Sequence, residues 1–392
     1  MKFVLPGAAT ATALALVLGC NGAQAADDLV LGFLTARSGP YVSLSNTNEA
    51  AVRMAVDEVN KAGGVNGKQI RIVTFDTAGD PKQAATGVRQ FANDNGALAV
   101  IGPFSSSEVR TAFPVGERSG IAVMSNSSSA PGLTKGFSYA FRNTVDEGKA
   151  IDAVMASLRD KKLPMATGAV AYATDDTVSK SVGAKVAPEL FKTYGVELKG
   201  SVDFQFAAFD LSPQVSRLKG MAPDVIGIGA PPEGAINLSR EMKRQGLKAR
   251  VIGGTTIADP ELPKRMEGAG EGLTIGTTFF HDVNDRTRAF TKEFGERTRA
   301  AGLNRHEPNQ MDASAYDIVL IYAEAMKRAN VSGDKAGLEK ERTAIRDQVT
   351  ALKKFPALEG EISFVNGDSV KPIYVLEVKG DAWSLFDTRK PE

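Results

Sequence analysis

"AVIGPFSSSEVR", residues 99–110, decides how the rest of the chain is read. An apolar run, Ala99 to Ile101, meets Gly102-Pro103 and then three consecutive serines, Ser105, Ser106 and Ser107. The pattern returns in "AVMSNSSSAPG", residues 122–132, where Ser127, Ser128 and Ser129 follow a second apolar run. Short apolar stretches bounded by Gly and Pro read as buried strands. Ligands of an open parallel sheet lie outside the carboxyl ends of its strands, where loops lead into helix N-termini. Free N–H groups and the positive end of the helix dipole favour an anion there, and hydroxyls add donors without adding charge. The two serine triplets are therefore expected to form two walls of one anion-holding pocket. The competing reading is that they cap helices and fill turns.

Working outward, strands and helices alternate. Leu29–Leu34 is an apolar strand, followed by the loop "TARSGPYVSLSNTN" and a helix over about Glu49–Lys61, which Gly63-Gly64 stops. "QIRIVTF" is a strand, and Asp80 with Pro81 is an N-cap and first helical residue for "KQAATGVRQFAND". Strand 97–101, helix 107–118 and strand 121–124 complete a βαβαβα series, the pattern of a parallel sheet covered by helices on both faces. After "YAFRNTVDEG" the alternation restarts at a helix near Glu147 and runs to "GLTIGTTFF", which predicts a second sheet. Three further helices, 287–301, 311–330 and 335–352, and a β-rich tail with "GEISFV" and "PIYVLEV" are too little for a third domain and must complete the first two.

Composition bounds the function. With 392 residues and 43% hydrophobic content, two domains are expected. Lys+Arg 47 against Asp+Glu 46 leaves a net charge of +1, so no overall field favours nucleic acid or an anionic membrane. Residues 1–25 read as an export signal: Lys2 is positive, Ala8–Leu18 is apolar, and "AQAA" offers an A-x-A cleavage site before Ala26. Cys20, the only cysteine, lies in "VLGC", which also resembles a lipoprotein box, so a lipid anchor is the alternative to release. A mature chain without cysteine has no disulfide, thiol nucleophile or Cys-based metal site.

Catalysis is poorly supported. His281 and His306 stand in polar stretches, do not form a metal-spaced pair, and read as surface residues. "GIGAPPEG" echoes a dinucleotide fingerprint, but Pro232 replaces its third glycine. Asp76 follows no such fingerprint either. No catalytic residue, metal or cofactor is expected.

Over nearly all its mature length the chain resembles the periplasmic binding proteins of the branched-chain amino-acid type, which deliver substrates to ABC importers. The landmarks are "SGPYVSLSN", "AVDEVNKAGGVNGKQIRIVTFDTAGDPKQA", "AVIGPFSSS", "AVMSNSSSAPGLT", "YAFRN" and "MDASAYDIVLIYAEAMKRA". The resemblance implies an α/β fold of periplasmic binding protein type I: two Rossmann-like lobes with parallel sheets, joined by a three-crossover hinge and closing on a trapped ligand. The boundaries expected are 26–144 plus 280–355 for the first lobe, and 145–279 plus 356–392 for the second.

It further implies that Ser105, Ser127 and Ser129, with Ser106 beside them, hold a ligand carboxylate, and that Tyr41 or Leu44 lines the same lobe. The serines are expected to carry affinity without affecting the stability of the unliganded protein. The second lobe departs from the amino-acid binders. Thr255-Thr256 replaces the acidic residue that would pair with an α-ammonium, Thr177 stands near the place of an expected ring, and Pro231-Pro232 replaces tyrosines. Unless Asp175 or Asp176 turns inward, the expected ligand is a carboxylate without a buried α-ammonium. The partners implied are a small amino acid or organic acid and the permease subunits, not nucleic acid, with the protein acting as a periplasmic monomer. An aromatic-acid or amide binder or a sensor module of the same fold is the alternative, and an exported enzyme fits only the sheet.

Overall fold

Leu29–Thr35 (β1) is buried at every residue, as a central strand covered on both faces must be. It belongs to a computed structural model that describes residue 1 and residues 28–391; the expected signal, the cleavage site before Ala26 and Cys20 lie outside the described residues. The chain continues through α1 (Val42–Ser45), α2 (Asn48–Lys61), β2 (Ile70–Asp76), α3 (Pro81–Asn93), β3 (Ala99–Ile101), α4 (Ser106–Arg118), β4 (Ala122–Ser125) and β5 (Ala140–Arg142). Residues 143–146 then pass to the second lobe. There follow α5 (Glu147–Asp160), β6 (Thr167–Ala173), α6 (Thr177–Ser181), a π-helical turn at Val182–Val186, α7 (Ala187–Thr193), β7 (Glu197–Phe204) and α8 (Ser212–Met221). The lobe continues with β8 (Val225–Gly229), α9 (Pro232–Gln245), β9 (Arg250–Gly253), α10 (Leu262–Arg265) and β10 (Thr274–Thr277). Residues 278–284 return to the first lobe for α11 (Asp285–Ala300), α12 (Gln310–Arg328), α13 (Leu338–Thr350), β11 (Phe355–Ala357), β12 (Gly360–Val365) and β13 (Asp368–Val370). Residues 371–372 make the third crossing, to β14 (Ile373–Lys379) and β15 (Ala382–Arg389).

Two sheets result, one of eight strands in the order β11-β12-β13-β5-β4-β3-β1-β2 and one of seven in the order β15-β14-β10-β9-β8-β6-β7. Strands β1 to β5 and β6 to β10 are parallel within their sheets, and among the described residues every antiparallel strand pair involves β11, β12, β14 or β15 of the tail. Each sheet is sandwiched between apolar clusters: α2 and α12 cover one face of the first and α3 and α4 the other, while α8 and α9 face α5 and α7 across the second. Two parallel-dominated α/β lobes with three crossings agree with the expected architecture.

The tail is divided differently from the boundary expected at residue 356. Strands β11 to β13 extend the first sheet, and only β14 and β15 join the second. The reason is a buried cation. Arg142 is wholly buried at the end of β5, and Asp368 of β13 supplies its carboxylate at 2.6 Å, with Asp146 at 3.1 Å. Asp368 also pairs in register with Arg142, and Phe364 packs edge-on against Phe141 at 5.8 Å. A buried guanidinium left without a carboxylate costs several kcal/mol, so this hairpin belongs where Arg142 is.

Asp368→Asn leaves Arg142 with Asp146 and two carbonyls as acceptors. Urea titration is expected to show a loss of about 1–3 kcal/mol with an unchanged m-value; an unchanged midpoint would mean that the hairpin is held by its apolar contacts alone.

Candidate ligand-binding site

The site is built at the carboxyl ends of the central strands of both sheets. After β3 the chain turns at Gly102, which has φ +88° and whose Cβ would lie 2.3 Å from the Leu34 carbonyl oxygen. A side chain is thus excluded on both counts, and the turn delivers Phe104 and the first serine triplet to the cleft.

Ser105 is the N-cap of α4 in a capping box with Glu108. Its Oγ accepts the Glu108 N–H at 3.3 Å and donates to Glu108 Oε2 at 2.6 Å, and its own N–H donates to the same oxygen at 2.8 Å. Burial raises the Glu108 carboxyl pKa, against which the bonds from Ser105 and Thr77 act. Ser105 is therefore both cap and cavity wall, and its hydroxyl proton is already committed. A cap of this kind contributes to helix stability, so Ser105 is not set for affinity alone.

Ser106 Oγ accepts the N–H of Ala130 at 3.3 Å and so ties the first serine loop to the second. At the end of β4, Ser125 Oγ accepts the N–H groups of Ser127 and Ser128. The Ser127 hydroxyl makes no hydrogen bond among the described residues and faces the cavity. With Ser129, the four expected serines meet in one cleft of about 470 Å³, its open mouth included.

Tyr41 and Leu44 both line it. Behind Leu44, a buried pair of Arg305 and Asp312 at 2.5 Å holds the loop in place, Arg305 donating to the Leu44 carbonyl and Asp312 accepting from Thr47 and Asn48. Tyr41 stacks on Phe104 at 5.7 Å and meets Phe206 of the other lobe edge-on at 6.2 Å. Its hydroxyl faces Asp176 Oδ1 at 3.4 Å. Burial, and after it the negative charge of Asp176, push the Tyr41 pKa up to about 12, so the phenol keeps its proton.

From the second lobe, Asp176, Pro231 and Thr255 line the cleft as expected, whereas Thr177 does not. Asp176 caps α6, its Oδ2 accepting from Ser179 N at 2.8 Å and Ser179 Oγ at 2.6 Å. This turns Asp176 and Ser179 inward, and Thr177, the first helical residue, is carried off the wall by the helical rotation. Asp175 is exposed and accepts the Phe206 N–H at 2.7 Å outside the cavity.

Thr255 and Thr256 do not stand without an acidic residue beside them. Glu147, first residue of α5 and wholly buried, places its carboxylate directly behind them. Thr255 Oγ1 donates to it at 2.5 Å, Thr256 donates through N at 3.3 Å and Oγ1 at 3.2 Å, and Glu147 N donates to the Ser129 carbonyl at 2.8 Å. A Cβ on Gly254 would lie 2.4 Å from Glu147 Oε1, so only glycine permits the approach. Burial raises the Glu147 pKa, and hydroxyl bonds from Thr255, Ser129 and Thr256 oppose the rise. The signal was present in "NTVDEG", but nothing in the sequence sets Glu147 beside Thr255, more than a hundred residues on. Phe104, Phe206 and Met311 were likewise not expected on the wall.

The family model described as periplasmic binding protein matches residues 28–382. A leucine-, isoleucine-, valine-, threonine- and alanine-binding protein of Pseudomonas aeruginosa is 26% identical over 85% of this chain and 86% of its own length. A Leu/Ile/Val-binding protein homolog of Brucella melitensis is 29% identical over 93% of both chains. Among solved structures, a branched-chain amino acid transporter substrate-binding protein of Streptococcus pneumoniae in complex with isoleucine superposes with a TM-score of 0.79 at 23% identity, over 93% of this chain and all of that one. On the match across 28–382 and on its two-lobed fold, the chain belongs to the periplasmic binding protein family.

Proposed function

We propose that the protein is the periplasmic substrate-binding component of an ABC importer and that it captures a small aliphatic α-amino acid between its lobes, with permease subunits as its partners. The observation that carries this reading is the polarity of the cleft. One side offers the first-turn N–H groups of α4 and the free Ser127 hydroxyl, with no Lys or Arg among the lining residues. The other offers Asp176, and Thr255 backed by the Glu147 carboxylate. A carboxylate suits the first side and an ammonium the second, as a zwitterion presents them. Phe104, Phe206, Val178 and Met311 supply apolar surface for an aliphatic side chain. The relatives named for leucine, isoleucine and valine support the same ligand class.

The role needs capture and release, not turnover. Closure brings Tyr41 against Asp176 and Phe206 across the mouth, and Val178 against the apolar cluster of the first lobe. These contacts link ligand burial to lobe closure, which is the form a permease can distinguish from the open one.

Calorimetric titration of L-leucine against 4-methyl-2-oxopentanoate tests the polarity. The amino acid is expected to bind at least about tenfold more tightly, since the oxo acid leaves the acidic side unpaired. Asp176→Asn is expected to erase most of that preference. Equal or tighter binding of the oxo acid would overturn the zwitterion reading in favour of an organic-acid binder.

The serines separate in a second measurement. Ser127→Ala is expected to weaken L-leucine binding by roughly tenfold or more while leaving the unliganded melting midpoint in place. Ser105→Ala is expected to lower the stability of the unliganded protein by about 0.5–2 kcal/mol through the lost cap. If both variants affect only stability, the carboxylate is held elsewhere.

A further inference from the structure

Glu359, just before β12, lies where all three crossings between the lobes meet. Asn143 in the first crossing donates from Nδ2 to its Oε2 at 3.2 Å, Thr278 in the second donates its hydroxyl to Oε1, and Lys371 in the third donates to Oε2 at 2.6 Å. The Glu359 and Lys371 side chains are both completely buried. Glu359 itself is fastened to the first lobe, because its own N–H and that of Leu358 donate to Asp317 of α12 at 3.0 and 2.7 Å. Asn143 Nδ2 also donates to the Ser314 carbonyl at 3.2 Å, and the Thr278 hydroxyl lies 3.0 Å from Gln310 Oε1, which ties the same centre to the start of α12.

We propose that Glu359 is the positioning residue of the hinge: it accepts a hydrogen bond from each of the three crossings in the closed form, and its protonation state sets how readily the lobes separate. The residue does not line the cleft and acts on the ligand through the balance between open and closed forms.

The direction of the effect follows from what faces the carboxylate. Lys371 attracts it, Asp317 repels it, Tyr374 of β14 is a further ionisable neighbour, and Arg286 acts on Asp317. Burial outweighs the attraction and holds Glu359 up at about 7 against an ordinary 4.5. Rotation that draws Thr278 and Asn143 away admits water and returns the group toward its ordinary value. Asp317 keeps its bonds to Leu358 and Glu359 inside the first lobe, and its negative charge reinforces the rise at Glu359. The closed form therefore binds the Glu359 proton more tightly than the open form. Closure is favoured as pH falls from about 7 toward 4.5, and the bias is absent above that window.

The test needs no ligand, which separates it from the reading of the cleft on which its physiological consequence rests. Small-angle scattering of the ligand-free mature protein is expected to give a smaller radius of gyration at pH 5 than at pH 8. Glu359→Gln is expected to remove that step, and Lys371→Met to move it to higher pH, because the carboxylate loses its counter-charge. L-Leucine titrations are expected to run in parallel, the wild type binding roughly threefold or more tightly at pH 5 and Glu359→Gln showing no such change. A wild-type radius that does not respond to pH, a step that survives in Glu359→Gln, or one that Lys371→Met leaves unmoved overturns the proposal. Should Glu359→Gln fail to fold, the wild-type profile and Lys371→Met decide it. A step of the expected form in a protein that does not bind L-leucine would fault the ligand and not the hinge.

Discussion

Three segments of chain pass between two sheets, and the polar groups buried where they cross have no strand ladder to bond to. The fold meets that constraint with buried charges, each matched by a group of opposite sign. Lys371 meets Glu359 at the crossings, Arg142 meets Asp368 at the strand ends beside them, and Arg305 meets Asp312 behind the first-lobe wall. Such pairs add little stability over apolar packing, yet a broken pair is severely destabilising because one charge is left desolvated. They therefore act as locks on geometry. The lobes can turn about a small polar centre while their apolar interiors, which are close-packed and resist deformation, move as bodies.

The cleft takes its polarity from the same economy of partners. Glu108 and Glu147 are both buried, one behind each side, and each is satisfied mainly by hydroxyls. A hydroxyl that donates its single proton inward has only lone pairs left for the cavity. Thr255 and Thr256, turned toward Glu147, therefore present acceptors to a ligand. Ser105, turned toward Glu108, is withdrawn as a donor, and on that side the work falls to the N–H groups at the start of α4 and to Ser127.

Much of this was legible in the chain. Hydrophobic runs of period suited to buried strands, separated by capped helices, revealed both α/β lobes, and Asp80 with Pro81 opens α3 as read. The serine triplets pointed to the cleft because their position after a strand is a local property. What escaped was non-local. Strands β5, β11 and β13 are three residues each, too short to show a period, and their sheet is decided by Arg142 and Asp368, more than two hundred residues apart. Phe206 comes to Tyr41 from the loop after β7, and Glu147 comes to Thr255 from the start of α5. Thr177 failed as a wall residue for a smaller reason: α6 begins at Thr177, and its first turn brings Asp176 and Ser179 to the cavity and not Thr177.

The case of Thr255 shows how far a single position can mislead. Read alone, a neutral residue where an acid is expected argues that the ammonium has no partner. Charge, however, acts through distance and dielectric and not through sequence position. An acidic group one hydroxyl removed still sets the polarity of that side of the cavity. It also fixes the orientation of the hydroxyl in front of it, so that Thr255 presents an oxygen already polarised by Glu147. An ammonium held there does not need an acid on the β9 loop itself, provided that α5 starts close enough to share one. Gly254 permits that approach, because any side chain at that position would occupy the space of Glu147 Oε1.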